Sequence, residues 1–147
     1  MKIFGHPLHM ILIHFPTALL PMDVCCAALG KYFSNEHFIY ASFFAAAGAL
    51  LTGWLAIITG AFDLIHVFQN KPNAVKKALY HGGVNSLVIL VYTIPVFKMY
   101  SAYPALHEDS TGLLCLKLSL LLLMIWGNFM GGDLILKEKI AVHEHEN

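Results

Sequence analysis

The sequence predicts an all-α integral membrane protein, a four-helix bundle of up-down-up-down topology. Three observations carry this prediction. Of 147 residues, 58% are hydrophobic and only 12% are charged, where a soluble domain carries about 25% charge. Mean hydropathy is +0.66. Four apolar runs, 7–29, 38–68, 75–100 and 112–136, each reach the roughly 20 residues that a hydrocarbon core demands of a helix. Residues 1–136 then form one four-span bundle and residues 137–147 a polar tail, with no room for a second folded unit.

The first run starts at Pro7 and contains Pro16 and Pro21. Proline is tolerated in a first helical turn and kinks a helix deeper in. Two layouts compete: a continuous helix from Pro7 that kinks, which we prefer, or a short surface segment to His14 with the span opening at Pro16. Asp23 reads as a packing or kink-satisfying residue. A short polar loop, 31–37, leads to the second run, which is rich in Ala and Gly. Its Gly48, Thr52, Thr59, Asp63 and His66 fall on one helical stripe, and small residues let helices approach closely in lipid. The upper part of the stripe is therefore an expected packing seam, and Asp63 and His66 emerge at its lower end. A turn at Lys71-Pro72-Asn73 precedes the third run, where His81 and Asn85 share a face and Pro95 kinks the far end. The longest loop, 100–111, carries Pro104, His107, Glu108 and Asp109. The fourth run is leucine-rich and breaks character at Trp126-Gly127-Asn128-Phe129-Met130-Gly131-Gly132-Asp133. Lys117 falls inside it and reads as a side chain that snorkels outward.

Several function classes lose ground here. Net charge is zero, so bulk electrostatics offers nucleic acid no attraction. The G-x-S-x-G elbow, the glycine-rich phosphate loop and H-E-x-x-H do not occur, which disfavours hydrolase and nucleotide chemistry. Cys25, Cys26 and Cys115 all lie in apolar helix and read as small buried hydrophobes. With no C-x-x-C-H, covalent haem attachment by the usual motif is excluded. No cleavable signal peptide is expected. The chain has no arginine. Lys2, Lys71, Lys76, Lys77, Lys137 and Lys139 fall on one side, and Lys31, Lys98 and Lys117 toward the other. Positive residues favour the inside, which predicts a multi-pass protein with both termini in the cytoplasm.

Four passes bring His6, His9, His14, Asp63, His66, His81, Asn85, Asn128 and Asp133 to one membrane face. The opposite face has only His37 and His107, both expected in loops. Ionisable groups are costly in lipid, so a one-ended cluster reads as a site. At ~1.5 Å per residue, His81 is ~6 Å deep, Asp63 ~7 Å, His14 ~10 Å, and Asn85 and Asn128 ~12 Å, measured from their helix ends. Neutral imidazole ligates iron, zinc and copper. The leading expectation is a non-covalent haem b for electron transfer. His14 and His81 would be its axial ligands and His66 the alternative partner, with Asp63, Asn85 and Asn128 around it. The second expectation is a zinc, copper or nickel site, for binding or transport, drawn from His6, His9, His14, Asp63 and His81. The third is a structural or assembly subunit without a cofactor, whose histidines hydrogen-bond across helices.

The opening Gly5-His6-Pro7-Leu8-His9-Met10-Ile11-Leu12-Ile13-His14-Phe15-Pro16 resembles the G-H-P-x-H-x-x-x-x-H-F-P start of the domain of unknown function 2231 family. The resemblance extends through Asp23, Gly60, Asp63, His81, Asn85 and the 127–134 segment. It implies a four-helix protein of the bacterial cytoplasmic (inner) membrane. Relatives joined to cytochrome-c-like segments imply a respiratory setting, with a cytochrome or other redox protein as partner. One departure stands out: Glu138 occupies the place of a histidine usual in the family.

Overall fold

The computed structural model describes residues 2–3 and 6–136. The lead folds back on itself as a two-residue antiparallel pairing, β1 (Lys2–Ile3) with β2 (His6–Pro7). Five α-helices follow: α1 (Leu8–Leu12), α2 (His14–Phe33), α3 (Glu36–Asn70), α4 (Val75–Ala102) and α5 (Thr111–Leu136). A single 3-10 turn, Pro72–Ala74, joins α3 to α4. The protein is an all-α four-helix bundle. Its four candidate spans are Leu8–Phe33, Glu36–Gln69, Pro72–Ala102 and Thr111–Leu134.

The first span is one kinked path through α1 and α2. Helical hydrogen bonding passes through the break at Ile13, with Ile13 N–H donating to His9 O and Thr17 N–H to Ile13 O. The break sits there because Pro16 has no N–H to give the Leu12 carbonyl and its ring crowds that oxygen. The Thr17 hydroxyl adds a bond to Ile13 O at 2.7 Å. At the other end Ser34 adopts the left-handed conformation (φ 49°) and closes α2 onto Gly30 O. Asn35 then caps α3 by accepting from His37 N–H at 2.9 Å. His37 therefore belongs to the first turn of α3 rather than to a loop.

Each of α2 to α5 packs on its neighbours in sequence, and α5 closes back onto α2. The core includes Leu20, Phe43, Leu50, Val88, Tyr92, Leu120 and Met124. Large apolar side chains such as Phe44, Leu51, Phe62, Leu90, Phe97 and Leu122 face outward, as a hydrocarbon surround requires. The buried line of α3 differs from the expected stripe. It runs Ser42, Ala46, Ala49, Gly53, Ala56, with half-buried Gly60 next, at alternating spacings of four and three. Of the expected stripe, Thr59 is buried, while Gly48 and Thr52 are only half-buried; Ile89 of α4 packs against Gly53 and Leu19 of α2 against Gly48. This seam matters for function, since its two ends touch two different polar sites.

Candidate functional site

The first site lies where α1, α3, α4 and α5 meet. α1 packs against α3 and delivers His9 to it. His9 Nδ1 donates to the Ala56 carbonyl at 2.8 Å. His81, six residues into α4, donates Nδ1 to the Gly127 carbonyl of α5 at 2.8 Å. A carbonyl oxygen only accepts, so both rings carry their hydrogen on Nδ1 and keep an Nε2 lone pair. The Asn85 amide nitrogen lies 3.2 Å from His81 Nδ1, but that nitrogen is already a donor. The bond Asn85 makes is to the His81 carbonyl, at 3.0 Å. The two imidazoles stand edge to face, 6.4 Å between centroids and 81° between planes.

Glycine makes the arrangement possible. A Cβ on Gly60 would lie 2.9 Å from the His9 ring, and one on Gly131 would lie 2.5 Å from His81 Cε1. At both positions the helix backbone itself forms the wall against which an imidazole rests.

The remaining expected site residues are distributed as follows. His14 is exposed, and its Nδ1 donates to Met10 O one turn back. The ring that meets His81 is therefore that of His9. Asn128 donates to Thr17 Oγ1 at 3.1 Å and ties α5 to α2. Asp63 and Asp133 are half-buried near the ends of α3 and α5. His6 pairs with Ile3 through the backbone; its side chain and that of His66 lie outside the described residues, as does the whole tail with Glu138. Among the described residues, no three of His, Cys, Asp and Glu gather as a metal group.

The second site is at the opposite end, where the sequence reading expected only loop histidines. Lys117 does not snorkel outward; it is fully buried. Its Nζ lies 2.9 Å from Asp23 Oδ1 and 2.7 Å from Asp109 Oδ2. Ser42 Oγ donates to Asp23 Oδ1 at 2.5 Å, and Tyr92 OH donates to Asp23 Oδ2 at 2.5 Å. Asp23 is thus the centre of a polar cluster drawn from all four spans, a packing role wider than the sequence suggested. Two carboxylates within reach of one ammonium offset the cost of taking the lysine out of water. The sequence carried a signal for this pairing: Asp23 and Lys117 are opposite charges in separate apolar runs, both toward the same end.

Along α4, His81 and Tyr92 are eleven positions apart, so the two sites are separated by about 17 Å. Between them lies packed apolar core.

A family model described as "Predicted membrane protein (DUF2231)" matches residues 5–144. No curated protein and no solved structure matches the chain.

Proposed function

The chain belongs to the DUF2231 family of predicted membrane proteins, and from that premise we propose that it is a b-type haem subunit of an electron-transfer system. The ligands in this reading are His9 and His81, in place of the pair His14 and His81 expected from sequence. The observation that carries it is the shared tautomer: both rings give Nδ1–H to a backbone carbonyl and keep Nε2 for a ligand. Metal-binding histidines are held in this way, by a hydrogen bond on the nitrogen opposite the metal. The two rings lie 6.4 Å apart between centroids, near enough that both could serve one group.

The donor set favours haem over a bare ion. A structural zinc site takes four protein ligands and a catalytic one three, and the described residues offer two imidazoles. Haem brings four nitrogens of its own and asks the protein for two. When bound it supplies one-electron chemistry. The chain would supply two imidazole nitrogens, on rings fixed by Ala56 and Gly127. The lysine bias and the resemblance support a bacterial cytoplasmic membrane with both termini inside, and a cytochrome or similar redox protein as partner.

The test is the ultraviolet-visible spectrum of detergent-purified protein after haem-replete expression. A Soret band that His9→Ala and His81→Ala abolish, and that His14→Ala and His107→Ala retain, is expected. Absence of the band in the wild-type protein would overturn the reading. Zinc, copper or nickel found by elemental analysis without porphyrin would replace it with the metal-binding alternative.

A further inference from the structure

An open groove of about 450 Å³ runs between α4 and α5, at the end of the bundle away from His9 and His81. Along the spans its walls are apolar: Val91, Ile94, Pro95 and Met99 from α4, and Leu113 and Leu116 from α5. On α4 it reaches from Val91 to Ala102, eleven positions or about 17 Å. Half of a ~30 Å hydrocarbon core is about 15 Å, so the groove is as long as one leaflet is deep. An apolar hollow that opens on lipid is filled by hydrocarbon. Water inside it would find few polar partners, and an empty hollow forfeits dispersion contacts.

The end nearest the α4–α5 connection has a different chemistry. Lys98, His107, Glu108, Asp109 and Ser110 line it. Three of these are already engaged. Asp109 Oδ2 lies 2.7 Å from the buried Lys117 Nζ. Glu108 lies 3.7 Å from Lys31. Ser110 Oγ accepts from Leu113 N–H at 3.2 Å. Lys98 is exposed and makes no ion pair among the described residues. It stands four positions, about 6 Å, before the end of α4. A lysine stem spans that depth along apolar surface and carries its ammonium to headgroup level.

The groove thus offers an apolar slot one leaflet deep with an uncommitted cation above it. A phospholipid has the same order, an acyl chain below and a phosphate above. Because Glu108 and Asp109 are both engaged, the lining has no spare carboxylate for a headgroup ammonium, and the complementary headgroup is anionic. We propose that this groove binds one anionic diacyl phospholipid, its chain along α4 and α5 and its phosphate against Lys98. Basic pockets between membrane helices recognise lipid headgroups by the same attraction.

Native mass spectrometry of the full chain, purified in detergent and titrated with phosphatidylglycerol, tests this. One lipid per protein is expected to remain bound under conditions that strip the detergent. Diacylglycerol with the same chains lacks the phosphate and binds about fivefold more weakly, and Lys98→Gln weakens phosphatidylglycerol binding by the same factor of about five. Leu116→Trp, which crowds the groove from its rim, weakens it too. Lys76→Gln, near the other end of α4, leaves it unchanged. A wild-type protein that retains no phospholipid, or one that binds both lipids equally, would overturn the proposal. So would Lys98→Gln or Leu116→Trp proteins that bind as the wild type does, a Lys76→Gln protein as impaired as Lys98→Gln, or a dimer that carries no lipid.

Discussion

Replacing Gly131 by Ala probes the imidazole pair without touching either ring. The new Cβ would meet His81 Cε1 at 2.5 Å, Nδ1 at 2.8 Å and Nε2 at 3.2 Å. Backbone on α5 cannot retreat without disturbing the helix, so the ring must turn and release Gly127. The lost hydrogen bond costs about 0.5–1.5 kcal/mol. Overpacking costs about 1–3 kcal/mol. Against these, alanine is about 1 kcal/mol better than glycine inside a helix. The net expectation is a loss of about 2 kcal/mol. Gly132 is the matched control, since a Cβ there meets nothing within 4 Å. Gly132→Ala should therefore stabilise the protein by up to about 1 kcal/mol. Reversible unfolding in mixed micelles measures both. Equal stabilities, or a Gly131→Ala protein more stable than Gly132→Ala, would refute the packing on which the site rests.

Three further outcomes are expected. Lys117→Met leaves two acids buried without a cation and should cost about 3–5 kcal/mol, measured by the same unfolding assay. Tyr92→Phe removes one donor from an ionised carboxylate and should cost about 1.5–3 kcal/mol, with helix content by circular dichroism unchanged. In protein prepared free of haem and metal, His9→Ala should lower stability by at least the roughly 0.5–1.5 kcal/mol of its bond to Ala56. His14→Ala, at an exposed ring, should change it by less.

Much of the architecture is legible in sequence because lipid imposes few solutions. Four apolar runs with short connections give four packed spans, and their ends fall within a few residues of expectation. The convergence of His81 with Asn85, and of an α1 histidine with His81, follows from the same up-down path. Which histidine turns inward does not. His9 and His14 are five positions apart, about 140° around a helix, so one faces in when the other faces out. The choice falls to His9 through two features of α3 that no local pattern marks: the Ala56 carbonyl, which accepts from it, and the missing Cβ of Gly60.

The far end was readable in part. A lysine inside an apolar run demands either escape to water or a partner, and Asp23 was there to be paired with it. Asp109 was not readable, because the loop that holds it is positioned by tertiary contacts. Lys31 grips its carbonyl, and Tyr40 OH donates to Pro104 O at 2.5 Å. The seam on α3 was placed only in part: Thr59 is buried as expected, and Gly48 and Thr52 are half-buried. Gly48 is small but faces Leu19 of α2, and Gly53 is the position where Ile89 of α4 packs.

The central proposal is that His9 and His81 would be the residues that hold a haem. Low-temperature electron paramagnetic resonance of the ferric protein reads this directly. If haem were held by this pair, the ferric protein would give a low-spin bis-imidazole signal that is absent from His9→Ala. A high-spin signal in the wild-type protein, or a low-spin signal that survives His9→Ala and vanishes in His14→Ala, would contradict it.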